Sequence, residues 1–291
     1  MNKLLKLYVE QMQNKNLSYN TIEAYVRDIS NFISYLEESE ESLESINTDA
    51  IILYVEKLRK EGKANTSIIR NIVSIRNFYK YLVINKFVDE DPTLAYDLPR
   101  NKKEIPEILT IEEVERLLEA PDDDYKGLRD KAMLEIMYAT GTKVSELLNL
   151  TMYDKNLELS YIRVKEKHDE ERIIPLGRIA VKYLKKYLEV RDELNINKLD
   201  YIFLNSKGQK MTRQGFWKII KKYAEDASIN KHVNANTLRH SFAVHLLQNG
   251  ADIKSVQELL GHNSMTATQI YSFISRQNKL EEVYKKAHPR A

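Results

Sequence analysis

Three prolines divide this chain. Asp91-Pro92, Leu98-Pro99 and Ile105-Pro106 fall within one short stretch. Proline has no amide donor and keeps the residue before it out of helical geometry, so no continuous helix crosses from Phe87 to Pro106. On either side the pattern is helical, and 291 residues are enough for two separate cores. The expected division is a helical N-terminal domain over 1–87, an extended linker over 88–108 and a second domain over 109–291. Thr110-Ile111-Glu112-Glu113 has the spacing of a capping box and opens that second domain.

The first domain reads as four helices. Ile22, Tyr25, Val26, Ile29, Phe32, Ile33 and Leu36 recur at i, i+3, i+4 and i+7, the rhythm of a helix with one buried face. Thr48 or Asp49 is the expected cap of the next helix, which ends at Gly62; Asn65 or Thr66 is the expected cap of the last. Glu37, Glu38, Glu40, Glu41 and Glu44 read as a solvated connection between helices.

The second domain is expected to be mainly helical with one small β element, making the whole chain a mainly α, two-domain fold. Helices are expected near 126–139, 143–150, 178–193, 213–226, 236–248, 252–260 and 266–273. Tyr161–Val164 and Arg172–Leu176 read as a hairpin joined across a charged tip at 165–171, and Tyr201–Leu204 as a third strand. Gly250 and Gly261 stand where helices end.

Charge does not by itself name a partner. Lys and Arg total 45 against 43 Asp and Glu, a net of +2, so any affinity for nucleic acid must come from local patches. The absence of cysteine excludes a disulfide framework, a thiolate metal site and a cysteine nucleophile. No apolar run reaches the length of a membrane span, and Met1-Asn2-Lys3-Leu4-Leu5-Lys6 is not a signal segment. The expectation is a soluble intracellular protein.

Four separated segments carry residues suited to chemistry: Ala139–Leu150 with Lys143, the hairpin tip with Lys167, Asn236–Ala243 with Arg239, and Leu259–His262 followed by Tyr271. Each has a plain structural alternative. Lys167 fits a solvated turn, Arg239 a structural ion pair beside Leu238 and Phe242, His262 a helix end and Tyr271 a half-buried core position.

In this order, the segments make the chain similar to the tyrosine recombinase (phage integrase) family, most closely its Xer type. Leu17-Ser18-Tyr19-Asn20-Thr21 resembles the start of the family's helical, SAM-like core-binding domain. The stretch from Leu238 through Leu260-Gly261-His262 to Tyr271 resembles its C-terminal signature, and His288-Pro289-Arg290-Ala291 its ending. The resemblance implies Tyr271 as nucleophile, Arg239 as the second catalytic arginine, His262 as the late histidine and Lys167 as the hairpin lysine. Lys143 stands where the family has its first arginine, and Asn236 where it has a histidine.

The implied chemistry stores phosphodiester energy in a 3′-phosphotyrosyl bond, with fixed cations stabilising charge on the phosphate oxygens. Neither metal nor cofactor is expected. Lysine keeps the charge of arginine and loses its planar fork. Asparagine does not take up a proton near neutrality. Attenuated cleavage is therefore expected, and a weak or inactive DNA-binding paralogue is the alternative. A relaxing enzyme resembling type IB topoisomerases is a second.

Candidate DNA-facing side chains are Arg213, Lys218, Lys221 and Lys222 in the second domain. In the first they are Lys57, Arg59, Lys60, Lys63, Arg70, Arg76 and Lys80. The resemblance further implies a clamp on double-stranded DNA at a specific site, strand exchange through a Holliday junction in a homo- or hetero-tetramer, and a nucleoid-associated cytoplasmic location. The segment after Tyr271, with Leu280, Val283 and Tyr284 at helical spacing, is expected to dock on a neighbouring protomer.

Overall fold

The computed structural model describes residues 2–98, 106–165, 171–193, 195–261, 264–265 and 267–276. The chain divides into two units, with the boundary between Glu104 and Ile105.

The first unit contains helices α1 (Asn2–Asn14), α2 (Tyr19–Glu38), α3 (Thr48–Lys60) and α4 (Asn65–Ile84). Their apolar faces meet in a core that includes Ile29, Phe32, Leu36, Tyr54, Ile72, Phe78 and Tyr79. Each buried Ile, Leu or Phe among them contributes roughly 1.5–3 kcal/mol by leaving water. Phe32 packs edge-on against Tyr54, with ring centroids 5.0 Å apart.

The helix starts differ from the expected ones. Asn47 caps α3, accepting from the backbone N–H groups of Asp49 and Ala50. Thr48 instead donates its hydroxyl to the Pro92 carbonyl at 3.1 Å. At α4 the cap position is Ala64 and no side chain caps it; Asn65 and Thr66 lie within the helix. A short polar side chain can cap only from the last non-helical residue, and both sequence assignments were placed too far into the helix.

Residues 88–98, expected to be linker, pack onto this bundle. Val88 and Thr93 are buried, and Tyr96 and Leu98 lie against the core. Arg76 donates to the carbonyls of Thr93 (2.8 Å) and Tyr96 (2.9 Å). Helix α4 ends at Ile84, before the first of the prolines, and the chain beyond it stays on the bundle.

The second unit contains α5 (Ile111–Glu119), α6 (Tyr125–Thr140), α7 (Val144–Asn149), β1 (Lys155–Asn156), β2 (Tyr161–Lys165), β3 (Glu171–Pro175), α8 (Arg178–Arg191), α9 (Arg213–Asp226), α10 (Ala235–Gln248) and α11 (Ile253–Leu260). Residues 267–276 are also helical. Thr110 and Glu113 form the expected capping box.

The three strands form an antiparallel sheet in the order β1-β2-β3, with Ile162 opposite Ile174 and Val164 opposite Arg172. Tyr201–Leu204 does not join it. Tyr201 and Leu204 make single bridges, to Thr151 and Lys210. The reason is Arg191, fully buried, which donates to the carbonyls of Leu199, Tyr201 and Ile202. A guanidinium thus satisfies backbone groups that a strand ladder would otherwise pair. No helix among the described residues is long and apolar enough to cross a membrane.

Candidate active site

The site is built where α6, α7, α10 and α11 end or begin. α6 terminates at Gly141, whose φ of +58° is left-handed. A side chain there would strike the Phe242 ring and a Leu260 methyl group, so only glycine fits. α11 ends in the same way at Gly261, φ +61°.

Arg239 joins these two ends. It projects from α10, is 5% exposed, and donates to the carbonyls of Gly141 and Leu260, the second at 2.6 Å. It thereby fixes the backbone two residues before Lys143 and two before His262. Burial pulls its guanidinium below the usual arginine value, while Glu146 and Tyr271 favour the charge.

Tyr271 lies on the helical stretch 267–276, in a small apolar cluster with Phe242, Val244, Val256, Leu260 and Ile274. It is 3% exposed, and burial pushes its hydroxyl above the ordinary tyrosine pKa, with Arg239 pulling the other way. Its hydroxyl lies 2.8 Å from His240 Nδ1, and the two rings are 5.5 Å apart. Burial, followed by the charge of Arg239, lowers the His240 imidazole to about 4. His240 is therefore neutral near pH 7.

Lys143 occupies the cap position of α7. Its side chain is half exposed and lies 3.3 Å from Glu146. Glu146 also accepts from the Lys143 backbone N–H and from Arg172 at 2.8 Å. Arg172 also donates to the Leu259 carbonyl at 3.0 Å, tying β3 to the end of α11. Burial pushes the Glu146 carboxyl up, but the Arg172 and Lys143 contacts prevail and hold it below the usual range.

Lys143 and Asn236 line one open groove of about 530 Å3, together with Ser145, Arg213, Trp217 and His232. Asn236 is exposed on the first turn of α10. The structure therefore brings Arg239 and Tyr271 together in the interior, and Lys143, Asn236 and Arg213 together at the surface. Lys167, His262 and the segment 277–291 lie outside the described residues.

Sequence reasoning assigned no role to His240, Glu146 or Arg172. His240 directly follows Arg239, the one cue that its ring lies near the site.

The other basic candidates fall into two groups. Lys218, Lys221 and Lys222 are exposed on α9, with Lys221 over the Trp217 ring at 5.7 Å. In the first unit Lys57, Lys63 and Arg70 line a polar groove of about 470 Å3, along with Arg27. Lys57 is paired with Glu38 at 2.8 Å, and Arg70 with the buried carboxylate of Asp28. Arg59, Lys60 and Lys80 are exposed. Arg76 departs from the expectation of a DNA-facing side chain. Its guanidinium turns inward and fastens 93–96 to the bundle.

The pattern of the phage integrase family matches residues 107–277, and that of its N-terminal SAM-like domain residues 5–86. This chain belongs to the phage integrase family. Its similarity to curated tyrosine recombinases runs almost end to end. It is 45% identical to tyrosine recombinase XerD of Listeria innocua over 283 residues, 95% of each chain. It is 43% identical to XerD of Halalkalibacterium halodurans over 286 residues, 97% of this chain and 95% of that one. Among solved structures, XerH site-specific recombinase bound to a palindromic difH substrate aligns with a TM-score of 0.77 at 25% identity. That alignment covers 95% of this family member and 84% of XerH. XerA recombinase aligns with a TM-score of 0.56 at 30% identity, covering 100% and 99%. The chain is a tyrosine recombinase, mostly helical with a small antiparallel sheet.

Proposed function

We propose that this tyrosine recombinase is a Xer-type site-specific DNA recombinase that cuts and rejoins double-stranded DNA through Tyr271. The observation that carries this reading is the seat of Tyr271 beside His240 and Arg239, at the convergence of two glycine-terminated helices.

In the proposed reaction Tyr271 Oη attacks the scissile phosphorus, and the 5′ oxygen leaves with a proton from Lys167. The phosphate stays on the tyrosine until a 5′ hydroxyl of the partner strand displaces it. Arg239, Lys143 and His262 stabilise the charge gathered on the nonbridging oxygens. Two duplex sites are held by four protomers, exchange passes through a Holliday junction, and the segment 277–291 docks each protomer on its neighbour. The site of action is the nucleoid. Replacing the planar arginine fork with Lys143 costs about 1.5–3 kcal/mol of transition-state stabilisation, which slows cleavage without abolishing it.

The test is a nicked suicide duplex that traps the covalent intermediate. The full chain yields a protein–DNA adduct, and Tyr271→Phe yields none. If the two proteins behave alike, the reading fails. DNA binding without any adduct supports the alternative, a noncatalytic partner of an active paralogue.

A further inference from the structure

Asn236 leaves the attacking tyrosine without the proton acceptor that a histidine at that position would offer. It is exposed on the open groove, and its amide is not a base. Tyr271 must nevertheless lose its proton as its oxygen bonds to phosphorus. The described residues place an imidazole against that oxygen. His240 comes from α10, one residue beyond Arg239, and its Nδ1 lies 2.8 Å from the Tyr271 hydroxyl. This is within the reach required of a general base.

We infer that His240 is a catalytic residue in this recombinase, the general base that takes the proton of Tyr271 during DNA cleavage and returns it during rejoining. The inference rests on the proposed role of Tyr271. The Oη–P bond forms, the P–O5′ bond breaks, the phenolic proton passes to Nδ1, and the 5′ oxygen is protonated by the general acid. On rejoining, His240 gives the proton back to the departing phenolate.

The surroundings suit a base of this kind. The imidazole is neutral at pH 7, and its Nε2–H tautomer presents the Nδ1 lone pair to the Tyr271 hydroxyl. Arg239 on the same helix is the charged neighbour that acts on it, and Glu146 from α7 and Arg172 from β3 act on Arg239 in turn. Bound phosphate adds negative charge beside Arg239, which favours the protonated imidazole. The apolar cluster around Tyr271 keeps bulk water from doing the same task.

His240→Asn tests the inference, because its amide reproduces the Nδ1 position and keeps a hydrogen bond to Tyr271, but takes no proton. Single-turnover adduct formation on the suicide duplex is expected to fall on the order of a hundredfold, with DNA affinity and melting temperature unchanged. The variant's rate should rise about tenfold per unit between about pH 7 and about pH 9, as hydroxide replaces the base, while the unmodified chain stays nearly flat. A 5′-bridging phosphorothiolate duplex, whose leaving group needs no proton, should leave the deficit in place. Wild-type rates in His240→Asn, a flat profile in the variant or rescue by the phosphorothiolate would each overturn the inference. A wild-type chain that forms no adduct instead sinks the proposed function, and the inference with it.

Discussion

Arg239 and Lys143 are two of the cations assigned to the proposed site, and the fold treats them in opposite ways. Arg239 is buried and ties two helix ends through backbone carbonyls. Lys143 is half exposed, makes an i,i+3 contact to Glu146, and borders an open groove. The interior position keeps the residue type expected from the family, whereas both departures, Lys143 and Asn236, lie on the open side. A side chain that closes the backbone is constrained by packing and chemistry together. One that faces the groove is constrained by chemistry alone.

Arg239→Ala should lower adduct formation by about a thousandfold or more. It should also remove two charge-assisted hydrogen bonds worth about 1.5–3 kcal/mol each, lowering the melting temperature of the second unit by about 6 °C or more. Calorimetry and single-turnover cleavage read the two effects. A loss of cleavage with no change in melting would remove the structural half of the contrast.

Lys143→Arg sharpens the contrast from the other side. Cleavage should rise between about tenfold and a hundredfold, while melting moves by no more than about 1 °C. An unchanged rate would mean that the groove side does not limit the chemistry. A large melting shift would mean that Lys143 also serves the fold.

The smallest effect is expected at Glu135, buried on α6, the helix that ends at Gly141. Burial raises its carboxyl to about 7, only partly opposed by Lys131. The folded chain therefore holds a proton that the unfolded chain releases above about pH 4.5. The associated stability is complete below that value and is lost as pH rises through about 7. Glu135→Gln should flatten this dependence and stabilise the second unit by about 2 kcal/mol at about pH 8, read from urea unfolding across pH. A variant that keeps the slope would place its origin elsewhere.

Helices and hairpin were legible because their signals are local. Ile29, Phe32, Ile33 and Leu36 repeat with the period of the helix that buries them, and Gly250 and Gly261 stand at left-handed turns where helices end. Arg239 and Tyr271 were legible through their resemblance to a family motif. What escaped depended on partners distant in sequence. Arg191 satisfies the carbonyls of Leu199, Tyr201 and Ile202, so an apparently strand-forming run stays out of the sheet. Arg76 holds residues 93–96 against the first core, so a proline-rich stretch packs rather than bridges. His240 sits next to Arg239 in the sequence. Its contact with Tyr271 exists only because residues 267–276 fold back over α10.

If Arg239 serves the proposed chemistry as well as the two helix ends, that double duty affects how ancestry is read in chains of this kind. A lineage that abandoned DNA cleavage would still retain this arginine, because discarding it opens two turns as well as one active site. Its persistence is thus a poor witness to activity. Position 143, which the fold barely uses, is where relaxed selection on catalysis would first leave a trace.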